Sequence, residues 1–185
     1  MFFKEFPTLQ TDRLLLRNLH FTDAPALFDY FSRDEVTEFY DLPTFQSIQE
    51  AHELLLAWQE RYFNEEAIRW AITLQERPGQ LIGTCGFHNF SMENSRAEIG
   101  YELHPDFWQT GIMTEAVRAI IPFGFQSFDL HRIEAFIDPI NISSRKLLEK
   151  VGLQSEGVLR DYFFEKEKFV DAEIFSLLQR EYQSK

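Results

Sequence analysis

A short turn that ends at Gly111 joins a predicted strand to a predicted helix, and this arrangement has the chemistry of an anion site. Residues 97–103 alternate apolar and polar side chains as a strand does, and Pro105 ends the pattern because proline has no N–H for a strand ladder. An apolar helix pattern starts at Ile112. The first N–H groups of a helix lack backbone partners and carry the positive end of its dipole, so they attract phosphate groups.

The segment W-Q-T-G-I-M-T-E-A at residues 108–116 resembles the acetyl-CoA motif of the GNAT N-acetyltransferases, in particular the Rim-type branch that acetylates N-termini of ribosomal proteins. Gly111 keeps the superfamily glycine, whereas Gln109 stands where the branch has a second glycine and Thr110 where it has a basic residue. The resemblance implies a loop that binds diphosphate through its backbone, with one positive charge fewer. It implies coenzyme contacts from Tyr101, Glu102, Leu103, Trp108, Gln109, Thr110, Gly111, Ile112, Met113 and Thr114.

A second block, residues 130–162, resembles the same family in order and spacing, through D-P-I-N-I-S-S-R-K-L-L-E-K-V-G-L-Q-S-E-G-V-L-R. T-D-R-L-L-L-R at residues 11–17 is also how Rim-type chains begin. The resemblance implies that Asn141 contacts the pantetheine arm of the coenzyme and that Ser144 protonates the departing thiolate. Both residues also suit the capping positions of a helix, and that alternative stays open.

The acid has one further candidate. Many GNAT enzymes carry a tyrosine where this chain has Leu148. Its absence favours Ser144 as the acid, or Tyr162 from the next predicted strand.

Acetyl transfer to an amine needs a neutral amine, a stabilised oxyanion and a proton for the thiolate. Holding both substrates together can supply ~7–11 kcal/mol, and a positioned acid or base adds roughly 10²–10⁴-fold. Glu98 is the candidate base, either directly or through a water molecule, and water alone as the base is the alternative. Glu98 lies next to Gly100, where a missing side chain leaves room, and A-E-I matches where histone-type GNATs keep their base. Glu102, on the same face, is a lesser candidate. The alternative is that the Glu98 carboxylate only binds a neighbouring strand or the ammonium group of the substrate.

Other reactive side chains are predicted to be structural. His104 and His131 lie at turns next to strands, and Cys85 lies inside a strand pattern typical of a core. Five scattered histidines and one cysteine give no metal-ligand spacing, so no metal is expected.

The remaining patterns predict an α/β (α+β) fold: a mixed, mostly antiparallel twisted sheet with helices on both faces. The predicted strands cover residues 11–17, 67–74, 81–90, 97–103, 132–137, 153–164 and 169–178. The predicted helices follow Thr22-Asp23 and Ser47, run over residues 112–128 with a kink at Pro122, and extend from Asn141 to Gly152. Residues 32–44 are predicted to be irregular. The helix over 112–128 should connect two parallel strands by a right-handed crossover.

The bulk properties predict a single domain, residues 1–185, with 44% hydrophobic and 26% charged residues. The net charge of −12 disfavours direct nucleic-acid binding, and it suits either a cationic amine acceptor or simple solubility. The opening M-F-F-K-E-F lacks the apolar region of a signal peptide, and no apolar run approaches the ~18 residues of a membrane span. A cytoplasmic protein without membrane attachment is therefore expected.

Together these features predict acetyl transfer from acetyl-CoA, used as a co-substrate, to a primary amine, with a protein N-terminus as the acceptor by resemblance. One alternative is a small-molecule acceptor, such as a polyamine, an antibiotic or an amino acid. Another is a non-catalytic acyl-CoA-binding module, which the altered loop and the missing tyrosine keep open. Pairing into a homodimer, through the sheet edge or the closing hairpin, is a further prediction.

Overall fold

The computed structural model describes residues 3–183, and the part it describes folds around one mixed sheet of eight strands. The strands are β1 (Leu9–Gln10), β2 (Leu14–Arg17), β3 (Ala67–Leu74), β4 (Gly83–Ser91), β5 (Arg96–Leu103), β6 (Arg132–Ile137), β7 (Gln154–Glu165) and β8 (Lys168–Leu178). The helices are α1 (Ala24–Phe31), α2 (Asp34–Thr37), α3 (Ile48–Phe63), α4 (Ile112–Ser127), α5 (Ile142–Val151) and α6 (Gln179–Gln183).

The sheet has the order β1-β2-β3-β4-β5-β6-β8-β7, so the predicted meander and closing hairpin are confirmed. All neighbouring strands are antiparallel except β5 and β6, which α4 connects in parallel. The predicted α/β fold class is therefore also confirmed.

Two hydrophobic layers cover the two faces of the sheet, because successive side chains of a strand point to opposite faces. On β3, Ile68, Trp70 and Ile72 pack in one layer with α4 and with Leu148 of α5. Ala71 faces the other layer, which α1 and α3 complete. Cys85 is fully buried in the first layer, as predicted.

Several local features differ from the prediction. Strand β1 was not predicted, and the strand predicted from residue 11 begins at Leu14. The strand predicted from residue 81 begins at Gly83, and the segment predicted to be irregular contains α2. Helix α6 follows β8 and was not predicted. Asp23 occupies the N-cap position of α1, but its carboxylate binds Arg17 and the N–H of His20 instead of a helix N–H. The arginine competes successfully because a bidentate ion pair is stronger than a cap hydrogen bond.

Candidate active site

The loop before α4 leaves a row of backbone donors without partners. Gly111 occupies the N-cap position with φ 81°, a left-handed conformation that suits glycine, and Gln109 has φ 61°. Among the described residues no carbonyl or side chain accepts a hydrogen bond from the N–H groups of residues 109–114. The side chains of Ile112 and Met113 are buried in the core, so these residues are held firmly while their N–H groups stay open. The result is an anion site at a helix N-terminus.

Neighbouring side chains hold this loop in place. The indole of Trp108 donates to the carbonyl of Leu103 at 2.8 Å, which ties the loop to the end of β5. The guanidinium of Arg13 donates to the carbonyl of Thr110 at 3.1 Å and to Glu115 at 2.7 Å. A Cβ atom at Gly111 would lie 3.6 Å from Nη2 of Arg13, so this arginine brings a positive charge to the loop from β2.

Strands β5 and β6 separate next to this loop. Their parallel ladder has three residue pairs, the last of which is Glu98 with Glu134, although β5 continues to Leu103 and β6 to Ile137. A fork in the sheet therefore opens after Glu98, toward the ends of the strands from which the chain proceeds to α4 and α5.

Glu98 lies at this fork and is about one-fifth exposed. Its Oε2 accepts a hydrogen bond from Asn89 at 3.1 Å. Burial raises the pKa of the Glu98 carboxyl, the hydrogen bond from Asn89 opposes the rise, and the carboxylate of Glu134 adds to it. A carboxylate with a raised pKa is a better match for an ammonium proton than an ordinary glutamate.

Glu102, the lesser candidate base, has its carboxylate buried beneath α1 and α3. It pairs with Arg69 and accepts hydrogen bonds from the hydroxyls of Thr84 and of Tyr30. The Arg69 guanidinium also stacks on the Trp58 ring at 4.4 Å from its centroid. The side chain of Glu102 is thus committed to an internal ion pair, and only its backbone remains available to a coenzyme.

Ser144 and Tyr101 meet across the fork, with their hydroxyl oxygens 2.6 Å apart. Burial raises the pKa of the Tyr101 phenol, so it keeps its proton at neutral pH. Asn141 has the capping role, because its Oδ1 accepts a hydrogen bond from the backbone N–H of Ser144 at 3.0 Å. Asn141 is the cap of α5, and the Ser144 hydroxyl faces Tyr101 instead.

The other candidate residues lie elsewhere. Tyr162 stacks on Phe136 with ring centroids 5.5 Å apart and is half-exposed on β7. His104 binds Asp29 at 2.8 Å and accepts from the N–H of Asp106, which is a structural arrangement at the end of β5. The backbone N–H of His131 donates to Ser95 in the turn before β6. Leu148 is fully buried.

Residues 13–154 match the family model of the acetyltransferase (GNAT) domain, which is most of the chain. The chain belongs to the GNAT family. It is 41% identical to the uncharacterized N-acetyltransferase p20 of Bacillus licheniformis, over 95% of this chain and 98% of that protein. It is 39% identical to the uncharacterized N-acetyltransferase YoaA of Bacillus subtilis, over 94% of this chain and 98% of that protein.

Two further relatives carry more specific names. The [ribosomal protein uS5]-alanine N-acetyltransferase of Escherichia coli is 29% identical over 83% of this chain and 81% of that protein. The solved structure of RimL, a ribosomal L7/L12 alpha-N-protein acetyltransferase in complex with coenzyme A, superposes with a TM-score of 0.84 at 18% identity. That likeness covers 95% of this chain and 99% of RimL and confirms the fold.

Family membership makes this GNAT protein an N-acetyltransferase that uses acetyl-CoA to acetylate an amine. Within residues 3–183 no cluster of three His, Cys, Asp or Glu side chains could hold a metal ion. In the same range no helix has the length and hydropathy needed to cross a membrane.

The sequence did not indicate several contacts in and around the site. Arg13 reaches Glu115 and Thr110 across about a hundred residues, and Tyr101 meets Ser144 across 43. Sequence spacing reports such contacts only within one helix or strand. The one available signal for Arg13 was its place in T-D-R-L-L-L-R, which identifies the residue but not its contacts.

Proposed function

We propose that this enzyme acetylates the free α-amine of a protein N-terminus, with Glu98 as the base and Ser144 as the acid. The observation that carries the proposal is the position of Glu98, a partly buried carboxylate at the fork between β5 and β6. The fork opens toward α4, whose N-terminus has open N–H groups.

In this proposal the diphosphate of acetyl-CoA binds the N–H groups of residues 109–114. The pantetheine arm then lies in the fork, along the backbone of residues 101–103 and past the amide of Asn141. Two observations support this path. The strands have no ladder there, and the Oδ1 of Asn141 is used by its helix, while its Nδ2 makes no hydrogen bond to another of residues 3–183. The thioester would end near Glu98, where the fork closes.

The reaction then needs two proton transfers. The amine nitrogen attacks the thioester carbonyl, and Glu98 takes a proton from it as the amide forms. The C–S bond breaks and the thiolate receives a proton from the Ser144 hydroxyl. The serine oxygen then regains a proton from solvent, and Glu98 releases its own proton to solvent before the next turnover. Either hydroxyl can donate in the contact between Tyr101 and Ser144, and the proposed step uses the arrangement in which Tyr101 donates and the serine O–H points at the sulfur. Substrate positioning supplies most of the acceleration, and the acid and base add roughly 10²–10⁴-fold each.

A protein N-terminus is proposed as acceptor because of the name of the Escherichia coli relative and the motifs shared with Rim-type enzymes. Turnover should be measured with short peptides that have free N-termini, the same peptides N-terminally formylated, and a panel of polyamines and amino acids. We expect kcat/KM to be highest for the free peptides and to vanish on formylation. Higher kcat/KM with polyamines would assign the enzyme to small molecules.

Glu98→Gln tests the base. The amide keeps the shape of the side chain but cannot accept a proton, so we expect kcat/KM to fall about 10²-fold with unchanged coenzyme affinity. In the wild type the acidic limb of the pH profile should lie above the usual glutamate range, because the raised pKa delays ionisation. The charged groups around this carboxyl are Arg61 on α3, Arg96 on β5 and Glu134 on β6, and His88 on β4 is a titratable neighbour. Wild-type activity of Glu98→Gln across pH would remove Glu98 from the mechanism.

A further inference from the structure

The space over Gly100 is occupied by a histidine. A Cβ atom at Gly100 would lie 3.0 Å from Nε2 of His88 and 3.5 Å from Nη1 of Arg69. The glycine therefore makes room for the imidazole ring, which lies over β5 and reaches the residue two positions beyond Glu98. Any acceptor that approaches the fork on this face of the sheet meets His88 at that position.

His88 and Glu98 form a directly opposed pair in the antiparallel ladder of β4 and β5, so their side chains share a face. Nδ1 of His88 lies 3.9 Å from Oε2 of Glu98. The imidazole is thus arranged with one nitrogen toward the carboxylate and the other over Gly100. Its side chain is about a quarter exposed, which leaves it accessible.

The surroundings of His88 disfavour the charged imidazolium. Burial is the largest cause of a lowered pKa at His88, and the guanidinium groups of Arg69 on β3 and Arg61 on α3 lower it further. The pKa of His88 falls to about 4. A hydrogen bond with Asn89 acts in the opposite direction. Glu98 has the opposite preference, because burial raises its pKa. At neutral pH His88 is therefore a neutral ring beside a carboxylate that holds a proton more readily than usual.

We propose that His88 touches the acceptor amine and relays its proton to Glu98. The inference rests on the proposed function, in which Glu98 is the final proton acceptor. As the new C–N bond forms, the lone pair of Nε2 takes a proton from the amine nitrogen, and Nδ1 gives its own proton to the Glu98 carboxylate. His88 ends as the other neutral tautomer and Glu98 as the carboxylic acid, so charge and protons balance.

The relay explains how His88, near the guanidinium groups of Arg61 and Arg69, can transfer a proton without itself becoming charged. A direct base would have to become an imidazolium beside Arg61 and Arg69, whereas concerted transfer leaves the charge change on Glu98. The 3.9 Å between Nδ1 and Oε2 closes to hydrogen-bond length with a movement of about 1 Å, and catalytic hydrogen bonds are often long before substrate binds.

A double-mutant cycle tests the relay. We expect His88→Ala to lower kcat/KM about 10²-fold with unchanged coenzyme affinity, and Glu98→Gln to lower it by a similar factor. The double variant should be no slower than the slower single variant, because the two residues act as one unit. Free imidazole should restore part of the activity of His88→Ala and none of that of Glu98→Gln.

Controls separate the possible failures. His131→Gln changes a turn histidine outside the site and should keep wild-type kcat/KM, and His88→Gln replaces the alanine variant if the latter does not fold.

Full turnover of His88→Ala with only a lower melting temperature would overturn the relay. Independent, multiplicative losses of kcat/KM in the two single variants, without imidazole rescue, would overturn it as well. If Glu98→Gln lowers kcat/KM and His88→Ala leaves it at the wild-type value, the relay is overturned while the proposed function stands. If the wild-type enzyme acetylates no N-terminal peptide, the proposed acceptor fails instead.

Discussion

Two helices begin at the open ends of β5 and β6, and their N-termini are built in opposite ways. Helix α4 starts after Gly111, which has no side chain to offer, and its first N–H groups have no partners among residues 3–183. Helix α5 starts after Asn141, whose Oδ1 accepts the N–H of Ser144. One terminus is left for an anion from outside the chain, whereas the other is satisfied by its own cap.

In the proposed function, this difference assigns coenzyme binding to the N-terminus of α4 and proton donation to the N-terminus of α5. At α4 the helix dipole and the backbone donors are available to bind the coenzyme diphosphate. At α5 the cap fixes the backbone, so that the Ser144 hydroxyl is held at 2.6 Å from that of Tyr101. Substitutions at the first terminus should therefore change coenzyme affinity, and those at the second should change stability or turnover.

The largest effect on affinity is expected from Gly111→Asp. The aspartate places a Cβ at a left-handed position and a negative charge at the proposed diphosphate site, so coenzyme A affinity should fall more than about 100-fold. Gly111→Asn is the matched control, because asparagine has the same size, tolerates this conformation and lacks the charge. Calorimetric titration measures both. A folded Gly111→Asp protein with unchanged affinity would show that the diphosphate binds elsewhere.

A smaller loss of coenzyme affinity is expected from Arg13→Gln, which removes the charge near Gly111 and the contacts to Thr110 and Glu115. Because Arg13 is about half-exposed, we expect an affinity loss of about tenfold at low salt that shrinks as salt is added. Glu115→Gln is the control, since it breaks the ion pair but keeps the arginine charge.

Equal losses in both variants would show that Arg13 acts only by holding the loop. A loss confined to Arg13→Gln would show that its charge acts on the coenzyme.

The smallest effects on affinity are expected at α5. Asn141→Ala removes the cap and should cost about 1 kcal/mol of unfolding free energy. Ser144→Ala keeps the capping bond, which uses the backbone N–H, so its stability should stay near wild type while kcat falls. Thermal melts measure the stability loss expected of Asn141→Ala, and single-turnover kinetics measure the slower turnover expected of Ser144→Ala. If Ser144→Ala keeps full turnover, the acid must be sought at Tyr101 or Tyr162.

Local patterns predicted most of the fold, because they report contacts within an element or between neighbours in the chain. The bounds of β3 and β6 and the start of α4 agree with the alternation and helix patterns. The first turn of α1 was predicted less well, since Asp23 could bind either a helix N–H or an arginine of the preceding strand. Arg17 decided that choice, and it precedes the helix on β2.

By itself the sequence determined the family, the glycine loop before α4 and the start of α5 after Asn141, because each depends on residue type and short spacing. The tertiary structure decided which of the two glutamate carboxylates on the same face of β5 is available. Glu102 is buried against Arg69, whereas Glu98 lies at the end of the β5–β6 ladder beside His88. The physical reason is that the availability of a charge depends on the side chains that other strands and helices bring within hydrogen-bond distance, and no spacing within β5 encodes those neighbours.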